Sequence, residues 1–363
     1  MQLAVHNLVK RFGPEVSAVN DVSFDVADGE FLVLLGPSGC GKTTTLRAIA
    51  GFEEPDAGRI AIGGTPVFDA ARGLSVPPER RALGMVFQSY AIWPHMTVFE
   101  NVAYPLRIRG TGKHATRDRV REVLDLVGLA GLEDRPATRL SGGQMQRVAL
   151  ARSLSYSPRV LLLDEPLSNL DAELRARLRF ELKEVQRRVG VTAVYVTHDQ
   201  AEAAVLGDRV AVMKAGSIVQ LGSPEDIYTR PRNRFVAAFT GSTNFFAGRV
   251  VRTSGRFACL RTERGLDIAG QPAVELREGG RAVASVHPEY LEIERAAEPG
   301  PNQWPATVLS TTFLGTRTSC AIEVGGEQAM ATVHAPMSAL SAGQSVVVTA
   351  APSAVSIFPE EDS

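Results

Sequence analysis

The residues Gly36–Thr43 read Gly-Pro-Ser-Gly-Cys-Gly-Lys-Thr and lie between an apolar run and a helical pattern. Glycines at this spacing let backbone N–H groups converge on phosphate oxygens, and the helix N-terminus adds the positive end of its dipole. Lys42 is then expected to reach the β- and γ-phosphates, and the Thr43 hydroxyl to bind Mg²⁺. A tight structural turn is the alternative, but the strand before the loop and the helix after it disfavour that interpretation. We expect nucleotide to contact Gly36, Pro37, Ser38, Gly39, Cys40, Gly41, Lys42, Thr43 and Thr44.

Two adjacent acidic residues, Asp164 and Glu165, follow the apolar run Val160–Leu163. In sheets of this kind ligands bind at the carboxyl ends of the strands. Asp164 is placed to hold a metal, and Glu165 to orient or deprotonate an attacking water. Two acids after a strand are more often a helix cap or a solvated loop, and their combination with the phosphate loop is what favours catalysis.

A second glycine-rich loop, Leu140-Ser141-Gly142-Gly143-Gln144, also opens a helical pattern. A capped helix explains Ser141 equally well, but it does not require paired glycines. Two anion-binding helix ends are difficult to place on one γ-phosphate within one domain. We therefore expect each to serve half of a site that two copies of the chain share.

The elements that position these residues are predicted by the hydrophobic pattern. Phe31–Leu35 and Val160–Leu163 are buried strands, and Val191–Thr197 alternates as a strand should. Helices are expected over 42–50, closed by Gly51, and after the N-cap Asp171, with an apolar face of Leu174, Leu178, Leu182, Val185 and Val189. Strands alternating with helices predict a mainly parallel, helix-covered sheet.

After about residue 240 the pattern changes to short β-branched segments between glycine and proline turns. They predict a compact all-β module of barrel or sandwich type. Residues 241–363 carry 9 arginines, no lysine and 13 acidic residues, which also suggests a separate domain. The expected domains are therefore 1–240 and 241–363. The segments are Val283–Val286, Ala306–Leu309, Cys320–Val324, Met330–Val333 and Ser345–Thr349.

The overall composition excludes several classes of protein. A formal net charge of −1 disfavours a nucleic-acid binder that relies on a basic surface. Three widely spaced cysteines show no disulfide or zinc pattern, so free thiols in a reducing compartment are expected. Residues 1–13 lack a signal-peptide pattern, and no apolar run approaches the ~18 residues of a membrane helix.

Taken together, these motifs resemble the nucleotide-binding subunits of ABC transporters across roughly residues 3–240. Gly36–Thr43 matches the Walker A motif of that family, Leu140–Gln144 its signature, and Leu161–Glu165 its Walker B. Ser168–Asp171 resembles the D-loop, Gln88 the Q-loop glutamine and His198 the switch histidine. The resemblance implies an α/β P-loop nucleotide-binding domain with a helical signature subdomain, followed by the all-β, OB- or barrel-like domain.

The resemblance also implies roles that the spacing alone does not. Phe12 would stack on adenine, although a lone phenylalanine is as often a core residue. Gln88 would contact Mg²⁺ together with Thr43 and Asp164. His198 would contact the γ-phosphate and support Glu165, and Lys42 would assist them in catalysis. In a head-to-tail homodimer, nucleotide would contact Ser141, Gly142, Gly143, Gln144 and Asp171 as well.

The resemblance implies partners too. An importer ATPase binds two transmembrane permease subunits and, through them, serves an extracytoplasmic substrate-binding protein. It lies peripherally on the cytoplasmic face of the inner membrane. Ser89–Thr97 would help to form a groove for a coupling helix of the permease, unless it is a buried hairpin. The β module resembles the regulatory domain of sugar, polyamine and ferric-iron importer ATPases, with His287-Pro288-Glu289 where Arg-Pro-Glu is usual.

Other functions compete with an importer ATPase. A soluble ABC ATPase acting on nucleic acid usually has paired ATPase domains, which this chain lacks. A small-molecule kinase would not need Leu140–Gln144, and the β module is also compatible with a binding-only regulator. The segments 77–81 and 84–91 resemble the polyamine and ferric-iron branch of these ATPases more than the sugar branch, and this resemblance implies polyamine or ferric iron as the cargo.

Overall fold

The computed structural model describes residues 1–13, 16–241, 243–294, 300–334 and 340–360. The chain forms two compact units, Met1–Pro224 and Glu225–Ser363. The sequence pattern set the boundary after residue 240, whereas the helix Arg234–Phe239 falls in the second unit. It does so because its Ala237 packs in a small apolar cluster with Val283 and Phe358.

The first unit alternates strands and helices. In chain order its elements are β1 (Leu3–Phe12), β2 (Val16–Val26), β3 (Phe31–Leu35), α1 (Lys42–Ala50), β4 (Ala57–Ile62), β5 (Thr65–Asp69), β6 (Leu74–Ser75), β7 (Leu83–Val86), α2 (Val98–Ile108), α3 (Lys113–Leu126), α4 (Gly142–Leu154), β8 (Val160–Asp164), α5 (Ala172–Val189), β9 (Thr192–Thr197), α6 (Gln200–Leu206), β10 (Arg209–Lys214) and β11 (Ser217–Gly222).

A six-stranded sheet in the order β11-β10-β3-β9-β8-β7 positions the candidate site. All neighbours in it are parallel except β10 and β11. Every residue of β3, β8 and β9 is buried, as expected for central strands covered on both faces. The strand predicted over residues 191–197 is confirmed as β9, although its burial does not alternate.

A second, antiparallel sheet has the order β2-β1-β4-β5-β6. Its apolar face forms one core with α1 and with β3, β8, β9 and β10 of the first sheet. α1 contacts β2 as well as β8 and β9. Arg81, which is buried, donates to the carbonyl oxygens of Ala48 (2.8 Å) and Ile49 (2.9 Å) and so satisfies the C-terminus of α1. α2, α3 and α4 pack on one another as a helical subdomain, and α4 also contacts β7.

The predicted apolar face of α5 is partly wrong. Leu178 and Leu182 are buried, whereas Val189 is 39% exposed. Lys183 and Gln186 are buried in its place. Lys183 donates to the Leu206 carbonyl oxygen at 2.7 Å, and Gln186 donates to the Gly29 carbonyl oxygen at 2.9 Å. Hydrogen bonds to backbone that is remote in the sequence explain why polar residues occupy the inner face.

The second unit is rich in β-strands. Its elements are α7 (Pro224–Thr229), α8 (Arg234–Phe239), β12 (Asn244–Ser254), β13 (Phe257–Thr262), β14 (Asp267–Pro272), β15 (Arg281–Val286), β16 (Glu292–Glu294), β17 (Gln303–Phe313), β18 (Arg317–Val324), β19 (Glu327–His334), β20 (Ser345–Thr349) and β21 (Val355–Pro359).

A closed barrel, β12-β13-β14-β21-β15, and a five-stranded sheet, β16-β20-β17-β18-β19, share one apolar core. All five strands predicted from the β-branched segments are present. The α/β domain followed by an all-β, barrel-like domain is therefore confirmed. Among the described residues, no helix is long and apolar enough to cross a bilayer.

Candidate functional site

The phosphate loop, residues Gly36–Thr43, joins β3 to the N-terminus of α1. Two of its glycines cannot be replaced without displacing backbone. Gly41 has φ +100°, and a Cβ there would lie 2.1 Å from the carbonyl oxygen of Ala18. A Cβ on Gly36 would lie 2.5 Å from the carbonyl oxygen of Met213. The loop is therefore held close to neighbouring backbone, with the first N–H groups of α1 at its end.

Lys42 is only 4% exposed, and the loop itself holds its ammonium group. Nζ donates to the carbonyl oxygens of Gly36 (2.8 Å) and Pro37 (2.9 Å). The Cys40 sulfur lies 3.8 Å from Nζ. Burial raises the pKa of the Cys40 thiol, against an opposing effect of Lys42, so the neutral thiol is favoured at pH 7.

Thr43 and Asp164 face each other where β3 and β8 end. The Thr43 hydroxyl donates to Asp164 Oδ1 at 3.1 Å. Burial raises the pKa of Asp164, and the hydrogen bond from Thr43 and the charge of Arg47 oppose that shift. A hydroxyl and a carboxylate, which together present oxygen atoms, suit a small hard cation such as Mg²⁺.

Glu165 and His198 form a second polar pair beside Asp164. His198 Nδ1 lies 3.2 Å from Glu165 Oε2. The Glu165 N–H donates to the carbonyl oxygen of Val196 at 3.1 Å, so the end of β9 holds the residue after β8. Glu165 has φ +43°, an uncommon conformation for a side chain of this size. The paired side chains are 20% and 54% exposed, so solvent can reach them.

Gln88 contacts the loop that follows Glu165. The side-chain amide of Gln88 donates to Ser168 Oγ at 3.3 Å. The main-chain carbonyl oxygen of Gln88 accepts from Asn169 Nδ2 at 2.9 Å. Ser168 Oγ in turn donates to the Glu165 carbonyl oxygen at 2.9 Å. The carboxyl ends of β3, β7, β8 and β9 thus bring Lys42, Gln88, the two acids and His198 to one edge of the sheet.

Ser141 and Asp171 both cap helices. The Ser141 hydroxyl accepts from the Gln144 N–H at 3.3 Å, and Gln144 Oε1 accepts from the Ser141 N–H at 3.1 Å. Asp171 Oδ1 accepts from the Leu174 N–H at 2.9 Å, which confirms the predicted N-cap of α5. Among the described residues, no hydrogen bond or ion pair joins residues 141–144 to the phosphate loop or to Glu165. A Cβ on Gly143 would lie 3.3 Å from the side chain of Leu174, so the paired glycines permit close packing on α5.

Phe12 lies at the end of β1, and its side chain is 49% exposed. Phe12 is therefore not a core residue, and the interpretation of it as one is excluded. Lys10 Nζ lies 5.3 Å from the centre of the ring. The Lys10 ammonium group therefore lies over one face of the exposed ring.

Some residues that surround the pair of Glu165 and His198 carry no recognisable pattern in the sequence. Arg175 on α5 contacts both loops of the pair, and Glu202 on α6 binds the hydroxyl groups of Tyr195 and Thr197. The sequence offered no signal for them, because their partners are distant along the chain or lie on a different element. Asp199 caps α6, because its Oδ1 accepts from the N–H groups of Ala201 and Glu202.

A cleft of about 690 Å³ lies between the helical subdomain and the end of α1. The Trp93 and Tyr104 rings are 4.4 Å apart, and the guanidinium of Arg152 lies 4.8 Å from the Trp93 ring. Tyr90, in the segment that precedes Trp93, is buried, with 6% of its surface exposed. Large apolar side chains line the cleft: Phe52, Phe87, Trp93, Tyr104, Ile108 and Tyr156.

Comparison with known proteins places the chain in a family. A family model described as ABC transporter matches residues 19–168, and a TOBE domain model matches residues 284–358. The trehalose/maltose import ATP-binding protein MalK of Thermococcus litoralis is 48% identical over 326 residues, which cover 87% of each chain. The chain belongs to the ATP-binding subunits of ABC importers.

Other relatives of this ABC import ATPase are named for the import of other cargoes. The spermidine/putrescine import ATP-binding protein PotA of Rubrobacter xylanophilus is 50% identical and covers 86% of this chain and 81% of its own. The Fe(3+) ions import ATP-binding protein FbpC of Rhizobium etli is 47% identical, with coverages of 85% and 84%. The family therefore establishes ATP binding and hydrolysis, and its members span sugar, polyamine and iron importers.

Solved structures support the same fold for the first unit. The cbiO1 protein from Clostridium perfringens, part of the ABC transporter complex cbiONQ, is 29% identical with a TM-score of 0.57. It covers 62% of this chain and 89% of its own. A dimeric post-hydrolysis ATP-binding cassette bound to ADP and Pi is 30% identical with a TM-score of 0.53, and covers 61% and 98%.

Proposed function

We propose that this ABC import ATPase acts as a homodimer that couples ATP hydrolysis to uptake through two membrane permease subunits. An extracytoplasmic substrate-binding protein would deliver the cargo, and the ATPase would lie on the cytoplasmic face of the inner membrane. The observation that carries the proposal is the pair of Glu165 and His198 beside Asp164, Thr43 and Lys42 at one edge of the sheet.

In the proposed reaction, Glu165 orients a water molecule against the γ-phosphate and accepts its proton. The new bond joins the water oxygen to phosphorus, the bond to the β,γ-bridging oxygen breaks, and ADP leaves. Glu165 Oε2 lies 3.2 Å from His198 Nδ1, and this contact orients the carboxylate. Lys42, the N-terminus of α1 and His198 stabilise negative charge on the γ-phosphate.

Thr43, Asp164 and Gln88 are proposed to hold Mg²⁺. The donor set fits, because each of these side chains offers an oxygen and Thr43 already contacts Asp164. When bound, Mg²⁺ neutralises phosphate charge. The hydrogen bond from the Gln88 side chain to Ser168 links the proposed metal site to the loop after Glu165.

The dimer is proposed to complete each site with the signature loop of the other copy. The N-terminus of α4, at Ser141 and Gly142, opens toward solvent, and its capping hydroxyl retains a hydrogen that it can donate to phosphate. Gly143, Gln144 and Asp171 would also border the nucleotide bound to the other copy. A dimeric cassette among the structural relatives supports this proposal.

The cleft lined by Trp93 and Tyr104 is proposed to receive the coupling helix of a permease subunit. Its apolar wall and aromatic side chains suit the apolar face of a short helix. A soluble ABC ATPase acting on nucleic acid is the rival, and a net charge of −1 does not favour it. Co-purification of membrane subunits, rather than RNA or DNA, would decide between the two.

Polyamine or ferric iron is the proposed cargo. The support is the sequence of residues 77–81 and 84–91 and the relatives named for those cargoes, although a sugar importer is among the relatives too. Arg81 itself binds the end of α1, so these segments reflect ancestry rather than contact with cargo. Uptake of labelled spermidine, ferric iron and maltose by a deletion strain would test the proposal.

The central test replaces Glu165 by glutamine. Glu165→Gln keeps the shape and hydrogen bonds of the side chain but removes the base, so ATP hydrolysis is expected to fall by about 100-fold or more while ATP binding persists. The variant is expected to accumulate as an ATP-bound dimer in size-exclusion chromatography. Glu184→Gln, on the exposed face of α5, is the matched control. Hydrolysis by Glu165→Gln at the wild-type rate would show that the base is assigned wrongly.

A further inference from the structure

Arg175, on the first turn of α5, contacts the two loops that carry Glu165 and His198. One terminal nitrogen donates to the carbonyl oxygens of Leu170 (3.0 Å) and Ser168 (3.5 Å). The other lies 3.6 Å from Asp199 Oδ2. A single side chain thus joins the segment after β8 to the segment after β9.

The first contact leads to Glu165. Ser168, whose carbonyl oxygen accepts from Arg175, donates its hydroxyl to the carbonyl oxygen of Glu165 at 2.9 Å. The Ser168 N–H donates to the same oxygen at 3.2 Å. Because Glu165 has φ +43°, its backbone requires such support to keep its conformation.

The second contact leads to His198. Asp199 donates its N–H to Thr197 Oγ1 at 2.9 Å, so the residues on both sides of His198 are bonded to each other. The Thr197 hydroxyl donates to Glu202 Oε2 at 2.6 Å, and Tyr195 donates to the same oxygen at 2.7 Å. Glu202 is 3% exposed. The turn that presents His198 is therefore anchored to β9 and α6, and Arg175 connects it to the loop of Glu165.

The bonding of Arg175 indicates a geometric role rather than a gain in stability. Its Nε is buried and has no hydrogen-bond partner among the described residues, which is unfavourable in a side chain selected for stability alone. The side chains of Arg175 and Asp199 are 27% and 25% exposed, which makes this more than a solvated surface pair. A planar fork of donors reaches two loops at once, which the single ammonium group of lysine does not.

We propose that Arg175 is a positioning residue that holds Glu165 and His198 at their reactive separation by tying together the two loops that carry them. This inference rests on the roles proposed above for Glu165 and His198. Arg175 acts through Ser168, Leu170 and Asp199, and does not touch the nucleotide.

The test compares Arg175→Met and Arg175→Lys with Arg177→Met in the full-length chain. Arg177 is an exposed arginine on the same helix that pairs only with Glu181 among the described residues. For Arg175→Met we expect kcat for ATP hydrolysis to fall about tenfold or more, with KM for ATP within about twofold of wild type and an unchanged Tm. Arg175→Lys is expected to retain an intermediate kcat, and Arg177→Met the wild-type kcat.

A double variant tests whether the two contacts act together. Asp199→Asn keeps the α6 cap but weakens the ion pair. Combined with Arg175→Met it is expected to lower kcat no further than the more severe single change. Losses that multiply would overturn the proposal.

Two further results would also overturn it. One is a kcat for Arg175→Met within twofold of wild type. The other is a fall in ATP affinity by the same factor as the fall in kcat, together with a lowered Tm, which would show a structural role alone. If Arg175→Met does not fold, Arg175→Lys and Asp199→Asn carry the test, and wild-type kcat in both overturns the proposal.

Glu165→Gln and His198→Ala, measured in parallel, separate this proposal from the proposed function. Wild-type activity in either variant shows that the catalytic assignment fails. Loss of activity in both, with full activity in Arg175→Met, shows that only the positioning role fails.

Discussion

At the scale of single residues, backbone atoms hold the reactive side chains of the proposed site. Lys42 is bonded to the carbonyl oxygens of Gly36 and Pro37, and the N–H of Glu165 is bonded to Val196. These bonds fix the direction of the Lys42 side chain and the position of the Glu165 backbone. Preorganised groups of this kind supply much of the electrostatic stabilisation in phosphoryl transfer.

Asp164 provides a test of the proposed metal site. Asp164→Asn keeps an oxygen near Thr43 but removes the charge, so kcat is expected to fall on the order of 100-fold. ATP affinity in Mg²⁺ is expected to approach the affinity in EDTA, measured by titration with a fluorescent ATP analogue. Asp118→Asn, on the exposed face of α3, is the control. A variant with wild-type turnover and an unchanged response to Mg²⁺ would exclude Asp164 as a ligand.

The sequence singled out the proposed reactive residues, but not the residues that are proposed to orient them. Gly36–Thr43 and Asp164-Glu165 have fixed spacing along the chain, because phosphate geometry requires it. Arg175 and Glu202 have no such constraint. Their partners, Asp199 and Tyr195 among them, come close only when α5, α6 and β9 have packed.

At the scale of elements, the second unit contains a buried histidine, His287, which is 5% exposed. The His287 ring stacks on Tyr228 of α7, with centroids 4.1 Å apart, and meets Tyr290 edge-on at 5.9 Å. Its Nε2 donates to the Tyr228 carbonyl oxygen at 3.3 Å. Glu289, which is near Arg317, is the charged group that acts on the ring. An arginine in place of His287 could not form the same pair of stacked aromatic rings, so its guanidinium would need different contacts.

The burial of His287 predicts a pH dependence of stability. Burial lowers the pKa of the imidazole below its ordinary 6.5, although the Tyr228 carbonyl and Glu289 oppose the shift. The unfolded chain therefore binds the proton more tightly. The contribution of the neutral ring is complete above pH 6.5 and is lost as the pH falls toward the folded pKa, by at most about 1.4 kcal/mol per pH unit.

His287→Phe preserves a stacked ring and removes the titration. We expect the Tm of the wild type to fall more than that of His287→Phe between pH 7.5 and pH 5.5, measured by differential scanning calorimetry. The exposed His114, replaced in the same way, serves as the control. Equal shifts in wild type and His287→Phe would contradict the prediction.

The hydrophobic pattern predicted elements wherever packing is apolar on both sides or alternates clearly. β3 and β8 are continuous apolar runs, and β20 is a run of β-branched residues, so their positions followed from sequence. The inner face of α5 did not, because Lys183 and Gln186 become buried through hydrogen bonds that depend on tertiary structure. β12 was missed too, since its exposed second half leaves little alternation to detect.

At the scale of the whole molecule, the proposed site depends on a second copy of the chain. Ser141→Arg places a long charged side chain at the tip of α4, where nucleotide bound to the partner is expected to lie. ATP hydrolysis is expected to fall about 100-fold, with unchanged binding of ATP to the monomer, since Lys42 and Thr43 are untouched. Steady-state hydrolysis and equilibrium binding measure the two effects.

Ser254→Arg, at an exposed position of β12, is the control for that change. Wild-type hydrolysis by Ser141→Arg would argue against a shared site. Mixing Ser141→Arg with Glu165→Gln is expected to give dimers in which one of the two sites carries both defects and the other carries neither. Partial recovery of hydrolysis in the mixture would locate the two residues in different copies.

The order of strands in the parallel sheet has a consequence for biosynthesis. β3, which leads into the phosphate loop, lies between β9 and β10, and both of these are made more than 150 residues later. A nascent chain therefore exposes Lys42 long before it can seat β3 between its neighbours or bring Glu165 and His198 beside it. Synthesis must pass Lys214, the end of β10, before the central strands are complete, so we expect a polypeptide that ends before Lys214 to hydrolyse no ATP.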